Sequence, residues 1–362
     1  MSSIDINIKS EVDTLQKVLV HTPGAEMTLL NSHNTKEFNY DFESKTFSKN
    51  KDFLLWDDTI YLKGAIREHK EMCEIINVLS GNNVCLQFKD LFEEISTPWE
   101  QDQIIANLLF TRDLAFSFGC TTVISWNSKE ARNQENLLVK NLFENHPSLN
   151  HNKTIFFHDE FPTLTIEGGD VMIFNSDTIL IGLSERTKKE SIKALLPHFL
   201  DEGFSSVIGV SLQKKRTFMH LDTVLTKIDE NEYLIYDSNE SIDAFKFNNS
   251  NPNGEKLTFN SLGTLINELD DKAKLFKCTY NEQWTCGSNA LAISPGKILL
   301  YERNEMTIEN LVRKGGYRAY NPQEIINKKF DENEKIVVKI NGSELSRGRG
   351  GARCMTMPLL RG

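Results

Sequence analysis

The feature that most constrains the fold is a strand–turn–strand text that recurs and runs on into helix. VMIFNSDTILIGLSERT (171–187) reads as strand, turn, strand, followed by the helical TKKESIKALLPHFL. HLDTVLTKIDENEYLIYD (220–237) places two more strands around a turn. NALAISPGKILLYERNEMT (289–307) repeats the scheme and enters the helix TIENLVRKGG, closed by Gly315 and Gly316. KVLVHTPG (17–24) and FTRDLAFSFGCTTVISW (110–126) are related strand material. Strand pairs that recur with intervening helices predict a pseudo-repeated α/β architecture. Periodicity leaves open whether the units form one sheet, a sandwich or a ring.

Residues 54–106 differ. WDDTIYLKGAIREHKEMCEIINVLSGNN is amphipathic at helical spacing, with Ile66, Met72, Ile75, Ile76 and Leu79 as its apolar positions. FKDLFEEIS and PWEQDQIIANLLF continue in helical text, and Pro98 suits a first helical turn. The expectation is a mostly helical region between strands. The polar stretch 31–53 and NNSNPNGEK (248–256) read as surface segments, and no low-complexity linker divides the chain.

Charge narrows the function. With 41 Lys+Arg against 51 Asp+Glu, the 362-residue chain carries a formal charge of −10. Such a body repels phosphate backbones and attracts a small cation. The basic ending RGRGGARCMTMPLLRG is a single copy inside apolar text, whereas an RGG-type nucleic-acid segment would be repeated and interleaved with aromatics. MSSIDINIKSEVDTL has no apolar signal region and no run is long enough to span a bilayer, so a cytoplasmic protein with no membrane partner is expected. The six cysteines (73, 85, 120, 278, 286 and 354) lack CxxC spacing and read as free thiols; no HExxH-type metal signature occurs.

Four stretches place charge or a thiol where burial is predicted. Asp113 follows Arg112 in NLLFTRDLAF; Glu167 and Asp170 flank two glycines in LTIEGGDVMIF; Cys354 follows a Gly-rich turn in GRGGARCMTMP. In FMHLDTVLT, His220 and Asp222 are spaced i, i+2, which would put both on one face of a strand. Taken singly, each has a structural account: Asp113 paired with Arg112 or Arg132, Glu167 and Asp170 capping a turn, His220 a satisfied core histidine. Taken together, a cysteine, a histidine and several interior acids are what covalent attack on a cationic carbon needs. Two carboxylates can grip a planar guanidinium by paired hydrogen bonds. A hard-metal site from His220, Asp222, Glu167 and Asp170 ranks lower, because it leaves Cys354 and the Arg/Gly loop without a role.

In this order, FTRD, IEGGDV, GLSERT, HLDTV and RGRGGARCMTMP resemble the arginine deiminases of the guanidino-group-modifying superfamily. KVLVHTPGAEM, LLWDDTIYLKGAIREH, QWTCGSNALAISPGKILLYERN and NGSEL extend the resemblance over nearly the whole chain. It implies an α/β fold, a five-bladed pseudo-fivefold α/β-propeller forming one catalytic domain over 1–362, with a shortened helical insertion at 60–106. It implies Cys354 as nucleophile and His220 as general acid/base. Asp113 and Asp222 would hold the guanidinium, and Glu167 would orient the histidine. Arg132 and Arg186 would hold the substrate carboxylate, with Asn107, Phe110 and Arg349 also at the pocket. The implied reaction converts free L-arginine to L-citrulline and ammonia through a Cys-amidino adduct, with no cofactor and no metal. A homo-oligomer is compatible with it. The rival readings are an amidinotransferase, a hydrolase of another guanidino compound, and a non-enzymatic arginine binder.

Overall fold

Each recurrent unit folds as an antiparallel strand pair, a helical crossover and a third strand that returns parallel to the second strand of the pair. In the structure, a computed structural model that describes residues 3–81, 83–95 and 105–362, five sheets share this pattern. Ala115–Phe118 and Thr121–Ile124 pair antiparallel, the helix Asn133–Asn145 follows, and Lys153–Phe156 adds in parallel. Val171–Ile173, Thr178–Leu183, the helix Lys189–Asp201 and Ser206–Ser211 repeat the scheme. So do Leu225–Asp229, Glu232–Ile235, the helix Leu262–Leu269 and Lys274–Lys277. Leu291–Ser294, Lys297–Tyr301, the helix Glu305–Asn310 and Lys335–Ile340 do the same. The remaining sheet joins the two ends of the chain. Met357–Arg361 pairs antiparallel with Leu15–Val20, and Cys85–Gln87 lies parallel on its other side.

Local chemistry accounts for these elements. The helix Leu62–Ser80 buries Met72, Ile75 and Ile76, and Gly81 ends it at φ +105°. Leu262–Leu269 starts on a reciprocal cap. Thr264 N donates to Ser261 Oγ, and Ser261 N donates to Thr264 Oγ1. The helix after Asn304 widens into a π turn at Leu311–Gly315, and Gly316 closes it at φ +73°. Thr178–Leu183 is buried along its whole length, because Ile179 and Ile181 enter one core cluster and Leu180 another. The polar stretch 31–53 carries a separate hairpin, Phe38–Asp41 with Thr46–Lys49, whose strands pair only with each other among the described residues. The mostly helical stretch expected over 60–106 contains, besides its helices, the sheet strand Cys85–Gln87. Three residues are too short a run for periodicity to reveal. Of the helix expected from Pro98, residues 98–104 lie outside the described residues, and 106–109 form a turn.

One detail positions the site. A tight turn precedes the first strand of every unit: Thr111–Asp113, Gly168–Asp170, Leu221–Thr223, and the turns at 285–288 and 352–355. His220 and Asp222 therefore do not share a strand face. His220 precedes a 3-10 turn, Asp222 lies within it, and the strand begins only at Leu225. A turn rotates neighbouring side chains apart in a way that the i, i+2 rule for strands does not describe.

Candidate active site

The five turns bring residues far apart in sequence to one place. Asp113, His220, Cys354, Arg186, Arg216 and Arg349 line one common pocket. Asn107, Phe110 and Arg132 also line it. Asp222 and Glu167 stand behind this lining, each fully buried.

His220 is held from two sides. Its Nε2 lies 2.8 Å from Glu167 Oε2, and its Nδ1 lies 3.5 Å from Asp113 Oδ1. Burial alone would discharge the ring. The Asp113 charge and the Glu167 hydrogen bond outweigh it and push the histidine up to about 10. The ring is therefore an imidazolium at neutral pH. Burial opposes ionisation of Glu167, but Arg186 and His220 hold it well below the usual carboxylate range. Cys354 Sγ lies 3.5 Å from Asp222 Oδ2, and its backbone N donates to Asn289 Oδ1 at 3.3 Å. Burial and then the charges of Asp222 and Asp113 push this thiol well above its ordinary value. The unliganded site thus pairs a neutral thiol with a charged histidine.

The acids are unevenly satisfied. Asp113 Oδ2 accepts from Arg132 Nη1 at 2.6 Å, and Asp222 Oδ2 accepts from Arg353 Nη1 at 3.0 Å. The second oxygen of each, Asp113 Oδ1 and Asp222 Oδ1, is buried and accepts no hydrogen bond among the described residues. A buried carboxylate oxygen without a donor is costly, and a ligand with N–H groups would satisfy it. Asp170 has a structural role: Oδ1 accepts from Leu221 N at 3.0 Å and Oδ2 from Ser184 Oγ at 2.7 Å. Burial pushes it up to about 7.

The arginines differ in how far they are engaged. Arg132 donates to Glu135, Asp113 and the carbonyls of Asn107 and Phe110. Arg186 is held loosely, with Nη1 at 3.4 Å from both oxygens of Glu167 and Nε at 3.4 Å from Glu185 Oε1. Arg349, at φ +63°, stacks 3.4 Å over the Trp284 ring with Nε 3.6 Å from Asp57. Asn107 ties the pocket to the preceding segment through Leu54 O at 2.8 Å, and the Phe110 ring lies 5.8 Å from Trp56.

For a metal, the structure groups Asp113, Glu167 and His220, with ligand atoms within 4.8 Å of one another. Asp222 and Asp170 are not in that group. A histidine charged at neutral pH has no lone pair to give, so a cation would first have to displace its proton.

Sequence reasoning overlooked Arg353, Glu11, Glu135 and Asn289. Asn289 had a signal, since it directly follows the turn of the fourth unit, and the turns of the other four carry Asp113, Asp170, Asp222 and Cys354. Glu11 had none.

The fold is shared with a dimethylarginine dimethylaminohydrolase and with an arginine dihydrolase domain. A crystal structure of a dimethylarginine dimethylaminohydrolase adduct with S-methyl-L-thiocitrulline superposes with a TM-score of 0.59 at 15% identity, covering 95% of this chain and 100% of that one. The N-terminal domain of ArgZ, an arginine dihydrolase from the ornithine-ammonia cycle in cyanobacteria, gives 0.58 at 16%, covering 95% and 97%. The sequence profile of the arginine deiminase family matches residues 103–361, and the chain belongs to that family of hydrolases. It is 28% identical to the arginine deiminase of Borrelia garinii subsp. bavariensis over 98% of each chain. With the arginine deiminase of Mycoplasma capricolum subsp. capricolum it shares 29% over 98% of this chain and 97% of that one. Among the described residues, no helix is long and apolar enough to cross a membrane.

Proposed function

We propose that the protein hydrolyses free L-arginine to L-citrulline and ammonia through a covalent Cys354 adduct. The observation that carries this is the pair of donorless carboxylate oxygens, Asp113 Oδ1 and Asp222 Oδ1, beside the Cys354 thiol and the His220 ring. A guanidinium supplies N–H donors and a positive charge to both. Its α-carboxylate meets Arg186, whose contacts to Glu167 and Glu185 are long at 3.4 Å, and Arg132, with Asn107, Phe110 and Arg349 completing the enclosure.

The bound cation offsets the charges of Asp113 and Asp222 and so lowers the thiol's pKa when substrate is present. The thiol releases its proton to solvent, and the thiolate attacks the guanidinium carbon. His220 gives its proton to the departing nitrogen, which leaves as ammonia, and a thiouronium adduct remains. The now neutral His220 takes a proton from water. The hydroxide adds to the adduct carbon, the C–S bond breaks, the departing thiolate takes up the hydroxyl proton, and citrulline leaves. Glu167 keeps the ring oriented and charged at the start of each cycle. This reading treats 1–362 as a single catalytic domain. It arranges the five units as blades of a propeller, which the shared sheet of the two chain ends would close.

The test is incubation of the purified protein with L-arginine, assaying ammonia and citrulline together, beside Cys354→Ala. Equal amounts of both products, abolished in the variant, are expected. A folded wild type that forms no citrulline overturns the assignment, and product appearing only with an added amine acceptor would identify an amidinotransferase.

A further inference from the structure

Arg353 is 1% exposed and divides its guanidinium among three acceptors. Nε donates to Glu11 Oε1 at 2.8 Å, Nη1 to Asp222 Oδ2 at 3.0 Å and Nη2 to Val171 O at 2.7 Å. Glu11 is also buried and comes from the segment before the first strand, 342 residues away in sequence. An arginine facing a carboxylate favours a two-bonded fork that uses both oxygens. Here it takes one oxygen of Asp222, because Glu11 and Val171 hold the rest of the fork. Asp222 Oδ1 is left without a donor as a result.

We propose that Glu11 and Arg353 are positioning residues. Glu11 competes for the Arg353 guanidinium, keeps it on a single oxygen of Asp222, and so reserves Oδ1 for the substrate guanidinium. The assignment of Oδ1 to substrate rests on the function proposed above; the restraint of Arg353 by Glu11 does not. The surroundings favour the arrangement. Arg353 Nη1 compensates Asp222 next to the thiol, Asp113 and Cys286 are the other acidic groups whose charge bears on Cys354, and Arg112 and Arg361 lie close enough to Glu11 and Arg353 to add positive charge.

The test uses the full chain with Glu11→Met, which removes the acceptor at similar length, and Glu11→Gln, which keeps an acceptor for Nε. Two readouts are taken. One is the pH profile of Cys354 alkylation by iodoacetamide without substrate. The other is binding of L-arginine and of L-citrulline in a Cys354→Ser background. In Glu11→Met, Arg353 closes onto both oxygens of Asp222, so the alkylation midpoint moves to lower pH at an unchanged plateau. Arginine binds about tenfold more weakly, the loss of one charge-assisted contact, while the uncharged ureido group of citrulline binds as before. Glu11→Gln restores both properties. Arg353→Lys, which cannot fork, moves the midpoint to higher pH, and it serves if Glu11→Met does not fold. A midpoint unmoved in Glu11→Met, or a rise in plateau rate with equal loss of both ligands, overturns the proposal in favour of plain structural loosening. A shifted midpoint in a protein that binds no arginine upholds the restraint on Arg353 and overturns the substrate reading instead.

Discussion

Arg132 donates to Asp113 Oδ2 at 2.6 Å, so a guanidinium of the protein itself already occupies one oxygen of a carboxylate beside Cys354 and His220. The pairing is buried on both sides, and Glu135 Oε2 accepts from the same arginine at 2.7 Å. The bare structural account of Asp113, a buried partner for a nearby arginine, is therefore also true. The two roles divide between its two oxygens.

Removing Arg132 leaves two buried carboxylates facing an uncharged side chain. Arg132→Met is expected to lower unfolding stability by about 3–5 kcal/mol, the usual cost of breaking one side of a buried pair. Urea unfolding measures it. A loss below about 1 kcal/mol, typical of exposed pairs, would contradict the pairing.

Glu167→Gln keeps a side chain of the same shape but removes the charge that helps hold His220 as an imidazolium. The basic limb of the pH–rate profile is expected to move to lower pH, because the ring loses its proton earlier. Steady-state rates from pH 5 to 10 measure this. An unmoved basic limb would separate Glu167 from the titration of His220.

Gly169 leaves room that no side chain can share. A Cβ there would sit 2.6 Å from His220 Nδ1 and 2.8 Å from Asp113 Oδ1. Gly169→Ala is expected to displace the ring and cut turnover by about 100-fold, the scale of a small misplacement of reacting groups. Circular dichroism should remain that of the wild type. Full activity in Gly169→Ala would show that the ring can move without cost.

The raised pKa of His220 makes a stability prediction with a definite sign. An imidazole near 6.5 when unfolded and about 10 when folded stabilises the native state fully below about pH 6.5, and that stabilisation is lost as pH rises through 10. The stability gap between wild type and His220→Asn should therefore narrow from pH 6 to pH 10. A gap that widens over this range would show that the ring is buried neutral.

Local chemistry made much of the protein legible in its sequence. The hairpin texts around NSDT, DENE and SPGK became hairpins, because alternation, turn residues and short spacing act between near neighbours. Cys354, His220, Glu167 and Asp113 stood out because charge and thiol inside apolar text are costly without a purpose, and the structure brings all four to one site. The strand face expected for His220 and Asp222 was misread, since HLDTV looks the same whether it begins a strand or forms the turn before one.

What only the tertiary structure decided are the relationships that no local rule reaches. Cys85–Gln87 is a strand because Leu15–Val20 offers it an open edge, not because three residues carry a pattern. The two chain ends share one sheet. Glu11 meets Arg353 across almost the whole chain, and that contact selects which oxygen of Asp222 stays free. Sequence alone determined which residue types the site contains and which short elements carry them, since these depend on propensity and the cost of burial. Their distances, their protonation and the division of each carboxylate between protein and substrate were decided by packing. They depend on charges and backbone groups that come together only when all five sheets have formed.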